Sequence, residues 1–317
     1  MRNELKRGSS MIVREEDDGS LCVAPSKFVK KEKQDEAYIK ASVTDNPDAI
    51  MRTAISAYLT GYNVLHIRAA NQKVLSAKVR NHLKNFARHY LVGTEIVIDT
   101  PTELTLQVLL NYPELTVQNA LSRMSIIASS MHKEALSAMK KLDYSAAKSV
   151  IETDKEVNRF GLYIVRLLKL AVSNPRVVKE IGLNSQRDCL GIRLIAKAVE
   201  RTADHATKIA ENTLCLKAQV DGGFGDKLSE LSTLAVSMFE SSMDALFRRD
   251  FNLAEAVIEK IGQVHRLEKE AVLMMQNIHT EDAVSLRLII ESVRRTAEYA
   301  SDISEVVLNL NVESVLG

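Results

Sequence analysis

The 317-residue sequence predicts a mainly α-helical protein, in which two tandem three-helix bundles follow a small α/β domain and a short β-hairpin. Three observations lead to this prediction. Five prolines and 12 glycines are few for a chain of this length, which favours long helices over many turns. Beyond residue 113 the chain shows helical periodicity and repeats itself, whereas strand-like and helix-like stretches alternate before it.

Composition places the protein among soluble proteins of the cytoplasm. Apolar residues make up 46% of the chain and charged residues 26%, as in ordinary globular proteins. No uninterrupted apolar stretch reaches the roughly 20 residues that a membrane-spanning helix needs, and the first residues lack the apolar region of a signal peptide. Cys22, Cys189 and Cys215 are scattered without CxxC spacing, so we expect no disulfide framework and a reducing compartment.

Residues 1–36 are predicted to contain a β-hairpin. The stretch SSMIVREEDDGSLCVAPS holds two short strand-like runs on either side of Asp18 and Gly19, a dipeptide that suits a tight hairpin turn. Two strands alone bury too little surface to be stable. We therefore expect this hairpin to pair with another element, in this chain or in another.

Residues 37–112 are predicted to form the small α/β domain. The patterns of AYIKASV and NVLHIRA predict strands, each followed by an amphipathic helix, and TEIVIDTPTELTLQVLL predicts two further strands. Asn46 is the expected N-cap of the first helix, with Pro47 at its first position. This βαβαββ order implies a two-layer domain. The segment contains no glycine-rich phosphate loop.

Part of this segment is strongly basic. Residues 49–94 contain no Asp or Glu but seven Lys and Arg residues. Arg80, Lys84 and Arg88 follow one another at i, i+4 and i+8, which places them on one face of the second predicted helix. Such a stripe attracts anions or nucleic acid, but a solvated helix face has the same pattern. Both interpretations stay open, with these three residues as the candidate anion or nucleic-acid contacts.

From residue 113 onward the predicted helices occur twice. Residues 131–159 match residues 238–266 at an offset of 107, and residues 193–211 match residues 287–305 at an offset of 94. With nine of 29 and ten of 19 positions identical, the two halves are predicted to be copies of one unit. The predicted helices are about 115–141, 145–173 and 187–216 in bundle 1 (residues 113–218), and 225–248, 252–277 and 281–310 in bundle 2 (residues 219–317).

The candidate functional residues of bundle 1 are acidic. Glu200 and Asp204 stand one turn apart on the third helix, in the stretch ERTADHATKIAE, and Asp154 lies on the second helix. Oxygen ligands on facing helices suit a hard cation such as magnesium, iron or manganese. The alternative is a helix-packing seam with surface ion pairs, in which Arg201 pairs with an acidic residue such as Glu152. Both interpretations stay open.

Bundle 2 departs from this acidic pattern. Arg294 stands where bundle 1 has Glu200, and Glu298 stands where bundle 1 has Asp204. Because Arg294 and Glu298 are four residues apart, we expect them to form an ion pair. A site that needs all the carboxylates of bundle 1 is therefore not expected in bundle 2.

Nothing in the sequence indicates catalysis. It contains no Ser-His-Asp ordering, no nucleophile elbow and no Walker motif. We therefore expect that the protein is not an enzyme.

Two stretches resemble the signatures of a known family. AVERTADHATKIAENTL resembles the third-helix signature of PhoU proteins, and VIETDKEVNRF resembles their second-helix signature. The tandem duplication is similar as well, since PhoU proteins consist of two three-helix bundles, and the resemblance covers about residues 114–312. It implies a cytoplasmic regulator of phosphate uptake, which acts on the ATPase of a phosphate ABC transporter, on its sensor kinase, or on both.

The resemblance also implies metal sites in the bundles. Asp154, Glu200 and Asp204 match acidic positions of the family's metal sites, and Asn158 stands where the family usually has Asp. The candidate metals are iron, manganese, magnesium and zinc.

The stretch NELKRGSSMIVREEDDGSLCVAP resembles the later half of a SpoVT/AbrB-type swapped-hairpin domain, which is joined to PhoU in an archaeal architecture. Such domains are built from two chains, which implies a homodimer. The alternative function is therefore that of a DNA-binding transcriptional regulator. The earlier half of the domain, with its DNA-contacting strand and loop, would lie before Met1, so we expect this chain to act by binding proteins.

Overall fold

The computed structural model describes residues 10–15, 21–25, 36–42, 45–70, 74–109, 115–220, 222–275 and 280–316, and it confirms a mainly helical fold. The strands are β1 Met11–Glu15, β2 Leu21–Pro25, β3 Glu36–Ala41, β4 Val64–Ala69, β5 Thr94–Asp99 and β6 Glu103–Val108. The helices are α1 Pro47–Leu59, α2 Ala77–Tyr90, α3 Val117–Lys141, α4 Tyr144–Ser173, α5 Pro175–Glu180, α6 Asp188–Thr213, α7 Gly222–Arg248, α8 Phe251–Ile258, α9 Ile261–Met274 and α10 Thr280–Asn311.

The first two strands form the predicted hairpin. β1 and β2 pair antiparallel, with Val13 opposite Val23, while the predicted turn between them lies outside the described residues. Met11, Val13, Leu21 and Val23 share one face because side chains alternate along a strand. All four are exposed, by 38% to 65%. Within the described part of the chain, this apolar face therefore stays open.

The remaining strands form a four-stranded sheet in the order β3-β4-β6-β5. β3 and β4 are parallel and joined by α1, and the other neighbours are antiparallel. As predicted, the side chain of Asn46 accepts a hydrogen bond from the backbone N–H of Asp48, and Pro47 is the first helical residue. α1 and α2 pack on the sheet around a separate apolar core that includes Tyr58 and Leu104. The predicted βαβαββ order is therefore present.

The two bundles share one continuous hydrophobic core. At their centre α6 and α10 run antiparallel, since Gly191 near the start of α6 lies against Val306 and Leu310 near the end of α10. At the other end, the backbone N–H of Lys217 donates to the carboxylate of Asp282 at 3.0 Å. A Cβ at position 191 would lie 3.0 Å from Val306 Cγ1, so glycine allows this close approach.

The second helix of bundle 2 differs from the prediction. The single helix expected over residues 252–277 is divided into α8 and α9, with a break at Glu259 and Lys260. The corresponding α4 of bundle 1 is continuous over 30 residues. Gly262 follows the break where α4 has Lys155, and glycine costs a helix interior about 1 kcal/mol relative to alanine. The low helix propensity of Gly262 in the first turn of α9 is consistent with the division of the expected helix into α8 and α9.

A buried arginine joins the α/β domain to bundle 1. Arg166 of α4 is 1% exposed, and its guanidinium lies 4.8 Å from the ring centroid of Tyr58. Its hydrogen-bond acceptors lie in the last turn of α1 and just after it, and they are the backbone carbonyls of Tyr58, Gly61 and Tyr62 and the side-chain oxygen of Asn63. Carbonyls at the end of a helix lack partners within it and attract cations. The guanidinium therefore holds the α/β domain on α4.

Candidate functional site

The acidic residues predicted as metal ligands lie on α4 and α6, two helices that pack on each other. Asp143 starts α4, because its carboxylate accepts hydrogen bonds from the first backbone N–H groups. Asp154 lies on this helix, and Glu200 and Asp204 lie on α6. The helices approach closely at Gly161, where an added Cβ would lie 3.7 Å from Glu200 Oε2. The three carboxylates are partly buried, and the negative charges of Asp204 and Glu200 act on Asp154; we call these three residues the acidic seam.

Asp154 has a strongly perturbed carboxyl group. Burial, and then the negative charge of Asp204, raise its pKa to about 6. Asn158 donates a hydrogen bond of 2.5 Å to Oδ2 and partly offsets this shift. Oδ1 is buried and has no hydrogen-bond partner among the residues that the structure describes. Because a buried acceptor without a partner costs about 1–3 kcal/mol, this oxygen is suited to an additional ligand.

The two carboxylates of α6 are unequally neutralised. Glu200 lies 2.6 Å from Nζ of Lys197, one turn earlier on the helix. Burial and the charge of Glu200 raise the pKa of Asp204. In the described ranges, no group of three or more His, Cys, Asp or Glu side chains has the placement of a metal site. The acidic seam therefore concentrates negative charge, but its carboxylates do not stand in a coordination geometry.

Bundle 2 fills the equivalent place with arginines. Arg294, at the position of Glu200, pairs with Glu298, which confirms the predicted ion pair. The Nε atom of Arg294 also lies 3.2 Å from Oε1 of Glu268 on α9, and Arg295 lies 2.7 Å from Oε2 of Glu298. We call this group the arginine network. Bundle 2 therefore has an additional cation, Arg294, at the position where bundle 1 has the carboxylate of Glu200.

Arg201 makes a different contact from the one expected. Its guanidinium lies 5.9 Å from the ring centroid of Tyr299 on α10, which is a cation–π distance. Glu152, the acidic partner expected from sequence, pairs with Lys155 on its own helix. The Arg201–Glu152 pair does not form, because Arg201 is directed to bundle 2 and Glu152 to solvent.

Two histidines are buried where the bundles meet. His132 of α3 is fully buried, and its Nδ1 lies 3.3 Å from Oγ1 of Thr296. His205 of α6 is 8% exposed and contacts Tyr299 of α10. Burial lowers the pKa of each imidazole to about 4. Both histidines are therefore neutral at pH 7 and belong to the packing between the bundles.

The basic stripe of α2 divides into two parts. Lys84 lies 2.9 Å and Arg80 lies 3.5 Å from the carboxylate of Asp99 at the end of β5. The hydrogen bond from Lys84 is the main reason why the pKa of Asp99 is lowered. Arg88 forms no ion pair with any residue in the described ranges, and it lines a cleft beside bundle 1. The stripe is thus partly neutralised within the α/β domain.

Sequence reasoning missed Glu268, Arg159 and Arg166. Glu268 was detectable, since the offset of 107 places it opposite Gly161, two residues beyond the aligned stretch. In bundle 1 the residue at this position adjoins Glu200, and in bundle 2 it adjoins Arg294. Arg159 is identical to Arg266 in the repeat, but the sequence did not indicate the surroundings of Arg159 or Arg166, because these come from distant segments of the chain.

The fold defines the class of the protein, a helical-bundle protein made of two homologous halves. The family model of the PhoU domain matches residues 121–213 and 228–307, so the chain belongs to the PhoU domain family. A curated relative from Borreliella burgdorferi is described as a phosphate-specific transport system accessory protein PhoU homolog. It is 24% identical over 192 residues, which cover 56% of this chain and 84% of the relative.

Two solved structures share the helical fold. PhoU from Pseudomonas aeruginosa is 20% identical, has a TM-score of 0.54, and is covered over 96% of its length by 62% of this chain. The phosphate transport system regulatory protein PhoU from Streptococcus pneumoniae is 18% identical, with a TM-score of 0.54, and 63% of this chain covers 96% of it. At these identities the likeness shows the fold alone. Within the part of the chain that the structure describes, none of the helices combines the length and the hydropathy that a membrane span requires.

Proposed function

We propose that this protein is a non-catalytic cytoplasmic regulator of phosphate uptake. Its partners would be the ATPase of a phosphate ABC transporter, the associated sensor kinase, or both. The observation that carries this proposal is the match of the PhoU domain to both bundles. The description of the Borreliella burgdorferi relative as a transport accessory protein supports the same role.

Exposed apolar side chains on the central helices support binding to a protein partner. Leu190 and Leu194 of α6 are 73% and 62% exposed, and Val284 and Leu288 of α10 are 65% and 43% exposed. The offset of 94 relates the first pair to the second, so each bundle presents two apolar side chains one turn apart. Grouped apolar side chains on a surface are typical of interaction sites. We call these pairs the apolar patches.

A pull-down with the purified ATPase subunit under phosphate-rich conditions tests this role. We expect the full chain to retain the ATPase, and Leu190→Glu/Leu194→Glu to weaken retention by about tenfold or more, because the charge is buried in the contact. Leu273→Glu, at a 55% exposed leucine of α9, is the matched control and should retain the ATPase normally. If the wild-type chain retains no ATPase, the proposal is wrong.

We further propose that Asp154, Glu200 and Asp204 hold a cation. The open Oδ1 of Asp154 and the raised pKa values of Asp154 and Asp204 support this, because a cation would offset the crowding of negative charge. Glu200 would exchange its contact with Lys197 for the cation. Oxygen donors favour magnesium, manganese or iron over zinc. When bound, such a cation would supply the positive charge that Arg294 supplies in bundle 2.

Metal analysis of the purified chain tests this site. We expect bound metal in the wild type and none in Glu200→Ala/Asp204→Ala. Glu152→Ala removes an exposed carboxylate of α4 and should leave the metal content unchanged. Equal metal content in the wild type and the double variant would show that Glu200 and Asp204 hold no metal.

The open face of the β1–β2 hairpin supports a homodimer. Met11, Val13, Leu21 and Val23 form an exposed apolar face, which a second copy of the hairpin would cover. Light scattering is expected to give the mass of a dimer for the wild type and a smaller mass for Val13→Glu/Val23→Glu. A monomeric wild type would contradict this assignment.

The second candidate function is DNA-binding transcriptional regulation. The antiparallel pairing of β1 and β2, in a segment that resembles half of a SpoVT/AbrB-type domain, favours it. A gel shift with the full chain at about 0.15 M salt tests DNA binding, and true binding should weaken steeply as salt rises. Absence of a shift would exclude this function for the chain tested.

A further inference from the structure

A cleft lies where the α/β domain meets bundle 1, and neither the transport role nor the cation site uses it. One wall is the turn between α2 and β5, and the other wall is formed by α3 and α4. Its volume is about 650 Å³, within the range of about 300–1,000 Å³ that small-molecule sites occupy. The residues that define its chemistry are Arg88, Thr94, Glu95, Arg123, Arg159 and Phe160.

Three arginines from three helices line this cleft. Arg88 comes from the end of α2, Arg123 from α3 and Arg159 from α4. Among the described residues, none of the three has an ion-pair or hydrogen-bond partner. Glu95 supplies the carboxylate of the lining, so positive charge is in excess. A concave site with an excess of one charge focuses the field and concentrates counter-ions.

Two polar atoms of this cleft are buried without a partner. Thr94 is 9% exposed, and its Oγ1 has no hydrogen bond within the described ranges. The same is true of Nε of Arg159. Most buried polar groups in proteins are hydrogen-bonded, and an unpartnered one costs about 1–3 kcal/mol. A hydroxyl and a guanidinium N–H both donate to anionic oxygens, so the open positions suit an anion.

Both walls of the cleft are held in place by buried contacts. The carbonyl of Val92 accepts a hydrogen bond of 3.3 Å from the Tyr58 hydroxyl, and the carbonyl of Leu115 accepts one of 2.9 Å from the Tyr163 hydroxyl. Arg166 fixes the end of α1 on α4 nearby. The walls are therefore positioned before a ligand arrives, which reduces the entropy lost on binding.

We propose that this cleft binds a nucleotide with two or three phosphates. Guanidinium groups match phosphate oxygens in both charge and geometry, and three of them suit more than one phosphate. Phe160 and Ile96 are half-buried and give the cleft an apolar surface on which a base can pack. Its volume exceeds what inorganic phosphate fills. Because the ligand would touch both the α/β domain and bundle 1, its binding is expected to strengthen their association.

Isothermal titration of the full chain in EDTA, at about 0.15 M salt, tests the proposal. We expect ATP and ADP to bind at least about tenfold more tightly than pyrophosphate or inorganic phosphate, because only nucleotides also use the apolar surface. Arg159→Gln and Arg123→Gln should each weaken ATP binding about tenfold through the loss of a charge-assisted hydrogen bond. Glu95→Gln should tighten ATP binding, because it removes the carboxylate from the lining of the cleft.

Arg266→Gln is the matched control, since Arg266 occupies the position of Arg159 in bundle 2 and is exposed. It should bind ATP as the wild type does. Absence of saturable ATP and ADP binding would overturn the proposal, and so would equal affinities for pyrophosphate and ATP. Unchanged affinity in Arg123→Gln, an exposed position whose substitution leaves the core intact, would overturn it as well. The titration contains no transporter protein, so its outcome is independent of the pull-down.

Discussion

His205 and Tyr299 occupy equivalent positions in the two repeats, and their side chains touch. Tyr299 Oη lies 3.4 Å from His205 Nε2, and the ring centroids are 5.7 Å apart. Because a residue meets its own repeat equivalent only beside the axis that relates the copies, the local two-fold axis passes between α6 and α10. This axis relates the acidic seam to the arginine network. The acidic seam carries an excess of negative charge, whereas the equivalent arginine network balances two arginines against two glutamates.

Buried His132 predicts that acid destabilises the protein. Burial lowers its pKa to about 4, whereas a histidine in an unfolded chain titrates near pH 6.5. Between pH 4 and pH 6.5 the unfolded state binds more protons than the folded state. The contribution of neutral His132 to the free energy of unfolding is therefore complete above pH 6.5 and is lost as the pH falls toward 4. As the pH falls from 7 to 5, we expect the protonation of His132 in the unfolded state to reduce the free energy of unfolding by about 2 kcal/mol, as measured by urea denaturation.

His132→Phe is the variant that isolates this effect. Phe239 occupies the equivalent position of bundle 2, where it is buried, so the ring is compatible with the fold. We expect the variant to lose less stability than the wild type between pH 7 and pH 5. Identical pH profiles for the two proteins would show that His132 is not the group responsible.

Asp154 has the opposite effect on the pH dependence of stability. Its pKa is raised to about 6 from 3.8, so the folded state binds more protons in this window and loses stability as the pH rises through it. At pH 8, Asp154→Asn should therefore stabilise the metal-free protein. Solvent reduces the effect at this partly exposed site, and we expect about 1 kcal/mol from thermal unfolding in EDTA.

Glu152→Gln serves as the control for Asp154→Asn. It removes an exposed carboxylate from the same helix, and its melting temperature should stay close to that of the wild type. A lower melting temperature for Asp154→Asn in EDTA would mean that the carboxylate contributes favourably without a cation, contrary to our interpretation of the acidic seam.

Arg166→Met should weaken the attachment of the α/β domain. The substitution removes the side-chain donor of the Gly61 and Tyr62 carbonyls, and the carbonyl of Tyr58 keeps only the hydrogen bond from the backbone N–H of Gly61. We expect a loss of about 3 kcal/mol, seen in thermal unfolding as an earlier transition of the α/β domain. Arg193→Met, on the exposed face of α6, should unfold like the wild type. A single unchanged transition in Arg166→Met would contradict the role assigned to this guanidinium.

Arg294→Glu should destabilise bundle 2. Arg294 neutralises Glu268 and Glu298, which are about four-fifths buried, and the substitution would place a third carboxylate beside them. We expect a loss of about 3 kcal/mol in the free energy of unfolding at pH 7. The control is Arg287→Glu, at an exposed position of the same helix. Equal losses in the two variants would show that the arginine network has no specific role.

Local patterns predicted the elements of the fold well. Apolar periodicity and the internal repeat predicted the six-helix array, and Asn46 and Pro47 marked the start of α1. These signals depend on neighbours in the sequence, such as a cap and the first backbone N–H groups. The break between α8 and α9 was missed because a single glycine, Gly262, weakens a pattern that is otherwise helical.

Contacts between distant segments were less predictable. Spacing placed Glu200 and Asp204 on one face of α6, and in the structure their charges act on Asp154 of α4. The ion pair between Lys197 and Glu200 was detectable, because side chains three residues apart on a helix are neighbours. The approach of Thr94 to Arg159 depends on how a strand of one domain packs against a helix of another. Neither periodicity nor repeat offset carries that information.

The unbroken length of α4 gives bundle 1 a mechanical property. Its 30 residues span about 45 Å at 1.5 Å per residue, and they carry Asp154, Arg159 and Arg166 on one stiff rod. The spacings between these three side chains along the helix are therefore fixed. In bundle 2 the equivalent stretch is divided at Glu259 and Lys260. Bundle 1 thus carries its acidic seam and its contacts to the α/β domain on one continuous helix, and bundle 2 has no continuous helix at the equivalent place.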